Sequence, residues 1–134
     1  MDRLFLDANV LSSAAYRPNA GLLKFWKVKD VMLCSSHYAL EEAKINLVHE
    51  GERSRLAKLS TRLGLFDAIP REPPHGVSLP DKDVPILLAA MEAKATHLIT
   101  GDVRHFGPYF GKTIEGILVL TPADYLKKVS RRTR

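Results

Sequence analysis

Residues 83–102 read Asp-Val-Pro-Ile-Leu-Leu-Ala-Ala-Met-Glu-Ala-Lys-Ala-Thr-His-Leu-Ile-Thr-Gly-Asp. The Leu- and Ala-rich first part predicts a helix over residues 84–95, with Pro85 tolerated in its first turn. The β-prone run at residues 97–99 predicts a short strand, and a Thr-Gly turn then leads to Asp102. A helix followed directly by a strand is the repeating unit of α/β folds, so this stretch indicates the fold class.

The same alternation continues on both sides of this stretch. Short β-prone runs predict further strands at residues 4–6, 31–34, 65–66 with 68–69, and 117–120. Apolar periodicity predicts further helices at residues 21–28, 36–49, 52–63 and 122–126. Gly64 is placed to end the third of these helices, and the proline-rich segment 70–80 is the obvious loop. We therefore expect an α/β fold, a three-layer α/β/α sandwich with a central parallel sheet.

Length and composition limit the class of protein. The chain has 134 residues, of which 46% are hydrophobic and 26% charged, which is typical of one soluble globular domain. A single cysteine excludes a disulfide framework and a cysteine-based zinc cluster. No apolar run is long enough to cross a membrane, and the N-terminus does not resemble a signal peptide. We expect one domain over residues 1–128, a basic C-terminal tail over residues 129–134, and a cytoplasmic protein without membrane contact.

The formal net charge is +5, and the basic residues are unevenly distributed. One group lies in the helix predicted at residues 52–63, and a second lies in the last eight residues of the chain. Basic patches attract phosphate-bearing partners through counterion release. Charge alone leaves two interpretations open, a nucleic-acid contact or an ordinary solvated surface.

Acidic residues occupy the ends of the predicted strands. Asp7 follows the first strand, Asp102 follows the strand at residues 97–99, and Asp83 opens the helix before that strand. Glu41 and Glu42 lie in the helix after the second strand. Each acid alone has an ordinary explanation as a helix cap, a turn residue or a surface charge.

Taken together, these acids indicate a metal site. Carboxylates gathered at one edge of a parallel sheet repel each other unless a cation lies among them. Oxygen ligands without cysteine or clustered histidine favour Mg²⁺ or Mn²⁺. Such ions activate water and neutralise the charge of a phosphoryl transition state. With the basic patches, this pattern favours phosphodiester hydrolysis.

Four motifs in order resemble the PIN-domain nucleases, and among them the small VapC-type toxins. The resemblance extends from about residue 4 to residue 126. The motifs are the strand and Asp-x-Asn at residues 6–11, the acid-bearing helix at 36–43, Asp-x-x-Ile-Leu-x-Ala-Ala at 83–90, and Thr-x-Asp at 100–102. Residues 119–126 are also similar to the last strand and helix of that family.

The resemblance implies a four-acid site whose members are both catalytic residues and metal ligands: Asp7, Glu42, Asp83 and Asp102. Asn9 and Thr100 would support these ligands. Helical geometry alone does not choose between Glu41 and Glu42, and the family pattern selects Glu42. Asp81 is a reserve candidate whose simpler interpretation is a helix cap.

One position departs from the family pattern. Many relatives carry a further acid two residues after the last aspartate, where this chain has Arg104 followed by His105. This puts a second tightly held metal in doubt. Arg104 is a candidate phosphate contact, and His105 is either a proton donor or, by the interpretation we favour here, a structural or exposed histidine. The other candidate RNA contacts are Arg55, Lys58 and Arg62, and Cys34 is expected to be a small buried side chain.

The resemblance implies an Mg²⁺- or Mn²⁺-dependent endoribonuclease that acts as the toxin of a toxin–antitoxin pair. Its expected partners are an RNA substrate, a cognate antitoxin and a second copy in a homodimer. Two alternatives stay open. One is a PIN-like RNA-binding module without turnover. The other is a phosphohydrolase of the aspartyl-phosphate type, although that chemistry needs an acid at position 9, which is asparagine.

Overall fold

A computed structural model describes residues 1–17 and 20–132 of the chain. Its centre is one six-stranded sheet with the strand order β3-β2-β1-β4-β6-β5. All neighbouring strands are parallel except β5 and β6, which are antiparallel. The strands are β1 (Asp2–Leu6), β2 (Val31–Ser35), β3 (Gly64–Leu65), β4 (His97–Ile99), β5 (Thr113–Ile114) and β6 (Ile117–Leu120).

Helices connect the strands and flank the sheet. They are α1 (Ala8–Tyr16), α2 (Ala20–Leu23), α3 (His37–Ile45), α4 (Glu50–Ser60), α5 (Val84–Glu92), α6 (Val103–Phe106) and α7 (Pro122–Arg132), with short 3₁₀ turns at Lys24–Lys27 and Gly107–Tyr109. The ends follow local chemistry. The Ser36 hydroxyl accepts a hydrogen bond from the Ala39 amide and caps α3, and Pro85 lies in the first turn of α5.

The core lies on both faces of β1 and β4. Leu4, Phe5 and Leu6 are fully buried although their side chains alternate between the two faces of the sheet. Leu98 and Ile99 of β4 are fully buried as well. Strands buried on both faces have continuous apolar sequences, which is why these runs lack the alternation of a half-exposed strand.

The α/β fold with helices flanking a mainly parallel sheet is confirmed, and some elements differ from the prediction. Helix α1 was not predicted, and neither was β5. The helix predicted at residues 36–49 ends at Ile45, and residues 68–69 form no strand. Helix α7 continues to Arg132 instead of ending at residue 126, so residues 129–132 of the expected tail are helical, while residues 133–134 lie outside the described part.

Helix α1 and strand β5 were missed for physical reasons. Helix α1 starts immediately after β1. Its sequence is rich in Ala and Ser and contains no charged residue, so it lacks the contrast between an apolar and a charged face by which a helix is recognised in a sequence. Strand β5 has only two residues and pairs with β6 through the tight turn Glu115-Gly116, where both residues have positive φ. Positive φ at both central positions is typical of a two-residue hairpin turn, and the glycine there is its sequence signal.

The strand order fixes the location of the functional edge. From β1 the chain moves outward to β2 and β3, and then returns to place β4 on the other side of β1. The connections after β1 and β4 therefore leave in opposite directions, which opens a crevice at their carboxyl ends. Asp7 follows β1 directly, and Asp102 follows β4 after two residues.

Candidate metal centre

The carboxyl edge of the sheet carries a cavity of about 400 Å³ that is open to solvent and lined by acids. All four predicted acids border it, namely Asp7, Glu42, Asp83 and Asp102. These residues come from the ends of β1 and β4, from α3, and from the start of α5. The tertiary structure thus brings together side chains that are up to 95 positions apart in the sequence.

Asp7 is held at the floor of the cavity by a hydrogen-bond network. Its Oδ1 accepts a hydrogen bond of 2.7 Å from the amide of Ala8, which caps α1. Its Oδ2 accepts hydrogen bonds from the Thr100 hydroxyl at 2.8 Å and from the Asn9 amide at 3.0 Å. Asn9 and Thr100, which we expected to act as supports, therefore orient Asp7 directly.

The same network connects β1 to the turn after β4. The Asn9 side-chain oxygen accepts a hydrogen bond of 2.8 Å from the Gly101 amide. A Cβ at position 101 would lie 3.3 Å from that oxygen, so glycine permits the close approach of the turn. The amide of Asp102 donates to the Thr100 hydroxyl at 3.1 Å, which fixes the start of α6. Asp7 and Asp102 are therefore positioned relative to each other through shared partners.

Asp83, Asp102 and His105 form a second group on the wall of the cavity. Oxygen atoms of both carboxylates and Nδ1 of His105 all lie within 4.8 Å of one another, a spacing that could hold a metal ion. The Nδ1 atom of His105 is 2.9 Å from Asp102 Oδ2 and 2.9 Å from Asp83 Oδ2. The Asp102 side chain also accepts a hydrogen bond from the backbone amide of His105 and so caps α6.

One buried carboxylate oxygen in this group has no hydrogen bond. Asp83 is only 7% exposed, and its Oδ2 has no hydrogen-bond partner among the described residues. The oxygen lies 2.9 Å from Nδ1 of His105, but that nitrogen is also 2.9 Å from Asp102 Oδ2 and carries at most one hydrogen, so it cannot donate to both carboxylates at once. The Asp83 side chain also makes no capping bond at the start of α5. A buried, unpaired carboxylate oxygen is costly, which indicates that a ligand belongs there.

The electrostatics agree with this interpretation. Burial raises the pKa of Asp7, and the nearby carboxylates of Asp83 and Asp102 raise it further, against its hydrogen bonds from Thr100 and Ala8. Burial likewise raises the pKa of Glu42, with further contributions from Asp7 and Asp83. The pKa of Asp83 is raised by burial and by Asp102, while His105 and Lys82 oppose the shift. These carboxyl groups share a crowded negative field, which a cation would relieve.

The orientation of α3 distinguishes Glu42 from Glu41. Glu42 is half-buried and borders the acidic cavity. Glu41 is exposed and forms an ion pair with Lys44 on the outer face of the same helix, with 3.1 Å between Glu41 Oε1 and Lys44 Nζ. Helix α3 therefore presents Glu42, the family-pattern residue, to the other acids.

The remaining predicted residues lie elsewhere. Arg55 is half-buried and donates from Nε and Nη2 to the carbonyls of Ala15 and Tyr16, at 2.8 and 3.1 Å. Lys58, Arg62 and Arg104 are exposed. None of these four residues borders the acidic cavity within the described part of the chain. Asp81 is exposed and borders a neighbouring, more apolar cavity, and Cys34 is fully buried as expected.

Two further residues contribute to this site. His105 is half-buried with its imidazole between two carboxylates, which is the environment of the structural histidine that we favoured from the sequence. Lys82 was not considered, although it borders the same cavity. The signal for His105 was its spacing of three residues from Asp102, which lets a helix-capping aspartate contact the following side chain. Lys82 had no signal besides its position next to Asp83.

The cavity residues fit a divalent cation. The donors are carboxylate oxygens with one imidazole nitrogen, a set that suits Mg²⁺ and Mn²⁺. The buried Asp83 oxygen has no hydrogen bond, and its neighbour His105 Nδ1 is shared with Asp102, so a bound cation would satisfy this oxygen. Asp7 and Glu42 border the cavity but lie outside the three-residue cluster in which ligand atoms already approach one another.

The chain was compared with known proteins. No protein-family model and no curated protein sequence matches it. Among solved structures, VapBC2 from Rickettsia felis, bound to a DNA fragment from its promoter, matches with a TM-score of 0.63 and 15% identity over 89% of this chain and 98% of that chain.

Two other solved structures give similar values. VapBC-1 from nontypeable Haemophilus influenzae matches with a TM-score of 0.59 and 16% identity, over 90% of this chain and 98% of that chain. FitAcB from Neisseria gonorrhoeae matches with a TM-score of 0.53 and 17% identity, over the same shares of the two chains. At this level of identity the likeness establishes the architecture alone: the chain shares the PIN-like α/β fold of the matched chains, with a mainly parallel sheet flanked by helices.

Proposed function

We propose that the chain is a metal-dependent endoribonuclease that hydrolyses RNA phosphodiester bonds with Mg²⁺ or Mn²⁺. The observation that carries the proposal is the buried Asp83 oxygen without a hydrogen bond, within an acid-lined cavity at the carboxyl edge of the sheet. The likeness to VapC chains supports the same class of activity.

Asp83, Asp102 and His105 are the residues that would hold the ion, with Asp7 and Glu42 completing the negative cavity. When bound, a divalent ion would activate water and neutralise negative charge on the phosphodiester. The chain itself orients these groups before substrate arrives. Thr100 and Asn9 hold Asp7, and the His105 amide holds Asp102, so little rearrangement is needed.

The substrate class follows from charge. A chain with net charge +5 attracts polyanions, although its candidate site is negative. A divalent ion in the cavity reconciles these two features, since it converts the acidic site into a phosphate-binding one. The basic residues of α4 and α7 then act through phosphates rather than through bases.

The proposal is tested by measuring cleavage of a mixed RNA pool together with Mn²⁺ binding by calorimetry. We expect cleavage only with Mg²⁺ or Mn²⁺, and none in EDTA. Asp83→Asn should reduce cleavage by about 100-fold or more, which is typical of losing one electrostatic group at a reaction centre. It should also weaken Mn²⁺ binding strongly.

Asp81→Asn is the matched control, because it is the same substitution two residues away on an exposed side chain. It should leave cleavage and Mn²⁺ binding unchanged. Cleavage that persists in EDTA would overturn the metal mechanism, and full activity of Asp83→Asn would overturn the assignment of the site.

Neither alternative function is favoured by an observation. An aspartyl-phosphate mechanism would need a general acid at position 9, where the Asn9 amide donates a hydrogen bond to Asp7. A binding module without turnover would bind RNA but not cleave it with Mg²⁺ or Mn²⁺, so the cleavage assay separates it from the nuclease. The nuclease is therefore the proposal that we retain.

We also propose an antitoxin-type protein partner that covers the cavity. Complexes named VapBC and FitAB are the source of the matched chains. In this chain the cavity is bordered by the apolar side chain of Ile45, which is 77% exposed. Co-purification with the product of an adjacent small reading frame, followed by loss of RNA cleavage in the complex, would support this partner. We also propose a homodimer, on the resemblance alone. A molar mass in solution equal to twice that of the chain would support it.

A further inference from the structure

The acidic cavity has one basic residue on its wall. Lys82 directly precedes Asp83 and borders the cavity together with Asp7, Glu42 and Asp102. It is the only lysine or arginine among the residues that border this cavity in the described part of the chain. Its side chain is exposed, and no carboxylate of the described residues lies within ion-pair distance of its ammonium group. The ammonium group is thus near the acids without being paired to any of them.

The backbone at Lys82 is held in place from a neighbouring helix. The Tyr38 hydroxyl on α3 donates a hydrogen bond of 2.7 Å to the carbonyl of Lys82. Because Tyr38 and Glu42 are four residues apart on α3, the same helix face contacts the residue 82 backbone and supplies an acid to the cavity. This contact fixes the point from which the lysine side chain extends, while its end stays free to move.

A fixed lysine beside four carboxylates has two physical consequences. It opposes the mutual repulsion of Glu42 and Asp83, which is consistent with the lowering influence of Lys82 on the pKa of both groups. Its ammonium group, on a flexible stem from a fixed backbone, also places a positive charge beside a cavity that would otherwise repel RNA. An unpaired ammonium group on a flexible stem is suited to bind a phosphate as a point charge.

We propose that Lys82 is a substrate-binding residue that contacts a backbone phosphate of the RNA next to the bond held at the acidic cavity. This inference rests on the proposed nuclease function and names one residue that recruits its substrate. Lys82 is distinct from the basic residues of α4 and α7, since it borders the reacting cavity itself.

The test compares Lys82→Met with Lys44→Met, which removes the same charge from a lysine paired with Glu41 on the outer face of α3. Binding of a fluorescent single-stranded RNA is measured by anisotropy with Ca²⁺ in place of Mg²⁺ or Mn²⁺, so that an ion occupies the cavity while the RNA is not cleaved. We expect Lys82→Met to weaken RNA binding by about 10-fold, as for the loss of one charge-assisted contact. The slope of log affinity against log salt should fall by about 0.7, the value for one phosphate of a single strand.

Two further measurements separate phosphate binding from a structural role. Lys82→Arg should restore RNA binding to within about 3-fold of wild type, because a cation is retained. Mn²⁺ binding without RNA should become tighter in Lys82→Met by about 3-fold, because a positive charge near the acids is removed. Lys44→Met should match wild type in both assays.

RNA affinity and salt slope in Lys82→Met equal to those of Lys44→Met would overturn the proposal, even if Mn²⁺ binding tightens. Failure of the proposal for Lys82 and failure of the nuclease proposal give different results. If wild-type protein does not cleave RNA with Mg²⁺ or Mn²⁺, the nuclease proposal fails while the binding assays still report on Lys82. If wild type cleaves but Lys82→Met binds RNA normally, only the inference about Lys82 fails.

Discussion

At the scale of single residues, the carboxylates that border the cavity differ in whether they accept hydrogen bonds from the backbone. Asp7 and Asp102 each accept a backbone amide hydrogen bond and cap the helix that follows, whereas Asp83, for which a cap was the ordinary interpretation, makes no capping bond. Asp83 also keeps a buried oxygen without a hydrogen bond. The cavity therefore combines carboxylates that cap helices with one that keeps an oxygen without a hydrogen bond, and capping holds Asp7 and Asp102 in fixed positions.

The choice between two neighbouring glutamates gives a residue-scale prediction. Glu42→Gln should reduce RNA cleavage by about 10-fold or more, since it removes one charge from the wall of the cavity. Glu41→Gln should leave cleavage unchanged, because Glu41 pairs with Lys44 on the exposed face of α3. Initial cleavage rates at saturating Mg²⁺ measure both variants, and a larger effect from Glu41→Gln would show that α3 is rotated relative to our assignment.

At the scale of elements, α4 contributes to the fold as well as to the surface charge. Arg55 donates to the last carbonyls of α1, so it satisfies groups that a helix end leaves unpaired and places a positive charge at the negative end of the helix dipole. Lys58 lies on the same helix and is exposed. The basic group that charge patterning predicted as one RNA contact therefore contains members with different roles.

We expect Arg55→Ala to lower the free energy of unfolding by about 1 kcal/mol, because two charge-assisted hydrogen bonds to α1 are lost. Lys58→Ala should leave stability unchanged and reduce the salt slope of RNA binding by about 0.7. Urea unfolding and anisotropy titrations on the two variants check this division. Equal stability of Arg55→Ala and wild type would show that the contacts with α1 contribute nothing.

Helix α7 provides the second prediction at this scale. Its Tyr125 is fully buried and donates a hydrogen bond of 2.7 Å to Asp2, while Val129 packs against the core. Removing residues 129–134 should therefore cost about 1 kcal/mol of stability, as expected for exposing a partly buried valine and shortening the helix. A melting temperature equal to that of the full chain would instead mean that residues 129–134 behave as the separate tail expected from the sequence.

At the scale of the whole molecule, the acidic cavity couples stability to pH. The pKa values of Asp7, Glu42 and Asp83 are raised in the folded state, mainly by burial. The folded protein therefore binds more protons than the unfolded chain above the ordinary carboxyl range, so metal-free stability from these groups falls as pH rises. Asp67 acts in the opposite direction, since its pKa is lowered by hydrogen bonds from His37.

The difference between wild type and Asp83→Asn isolates one of these groups. Without metal, Asp83→Asn should be as stable as wild type well below pH 3.8, the ordinary pKa of the group, and should become more stable than wild type as pH rises from there through the raised pKa of the folded state. Addition of Mg²⁺ at neutral pH should stabilise wild type and not the variant. Urea unfolding at several pH values measures the difference, and a gap that narrows with rising pH would contradict the burial-driven shift.

None of the helices in residues 1–17 and 20–132 is both long and apolar enough to cross a bilayer. Compositional reasoning made the same prediction from the short length of every apolar run.

The sequence by itself determined the α/β class and the order of most elements. Buried strands such as residues 4–6 and 97–99 are continuous apolar runs, and helices such as α5 carry their caps and apolar faces in local sequence. The candidate acids were also recognisable, since Asp7 and Asp102 follow strands that end at the same edge of a parallel sheet. These features depend on neighbouring residues, and local patterns are what a sequence records directly.

Only the tertiary structure decided which of these groups meet and which are free. The rotation of α3 that points Glu42 inward depends on packing, as does the place of His105 between Asp83 and Asp102. The approach of Lys82 to the cavity depends on a hydrogen bond from Tyr38, 44 residues away. Such contacts are fixed by the sheet order and by side-chain packing over long separations. The unpaired oxygen of Asp83 becomes visible only when every neighbouring donor has been placed.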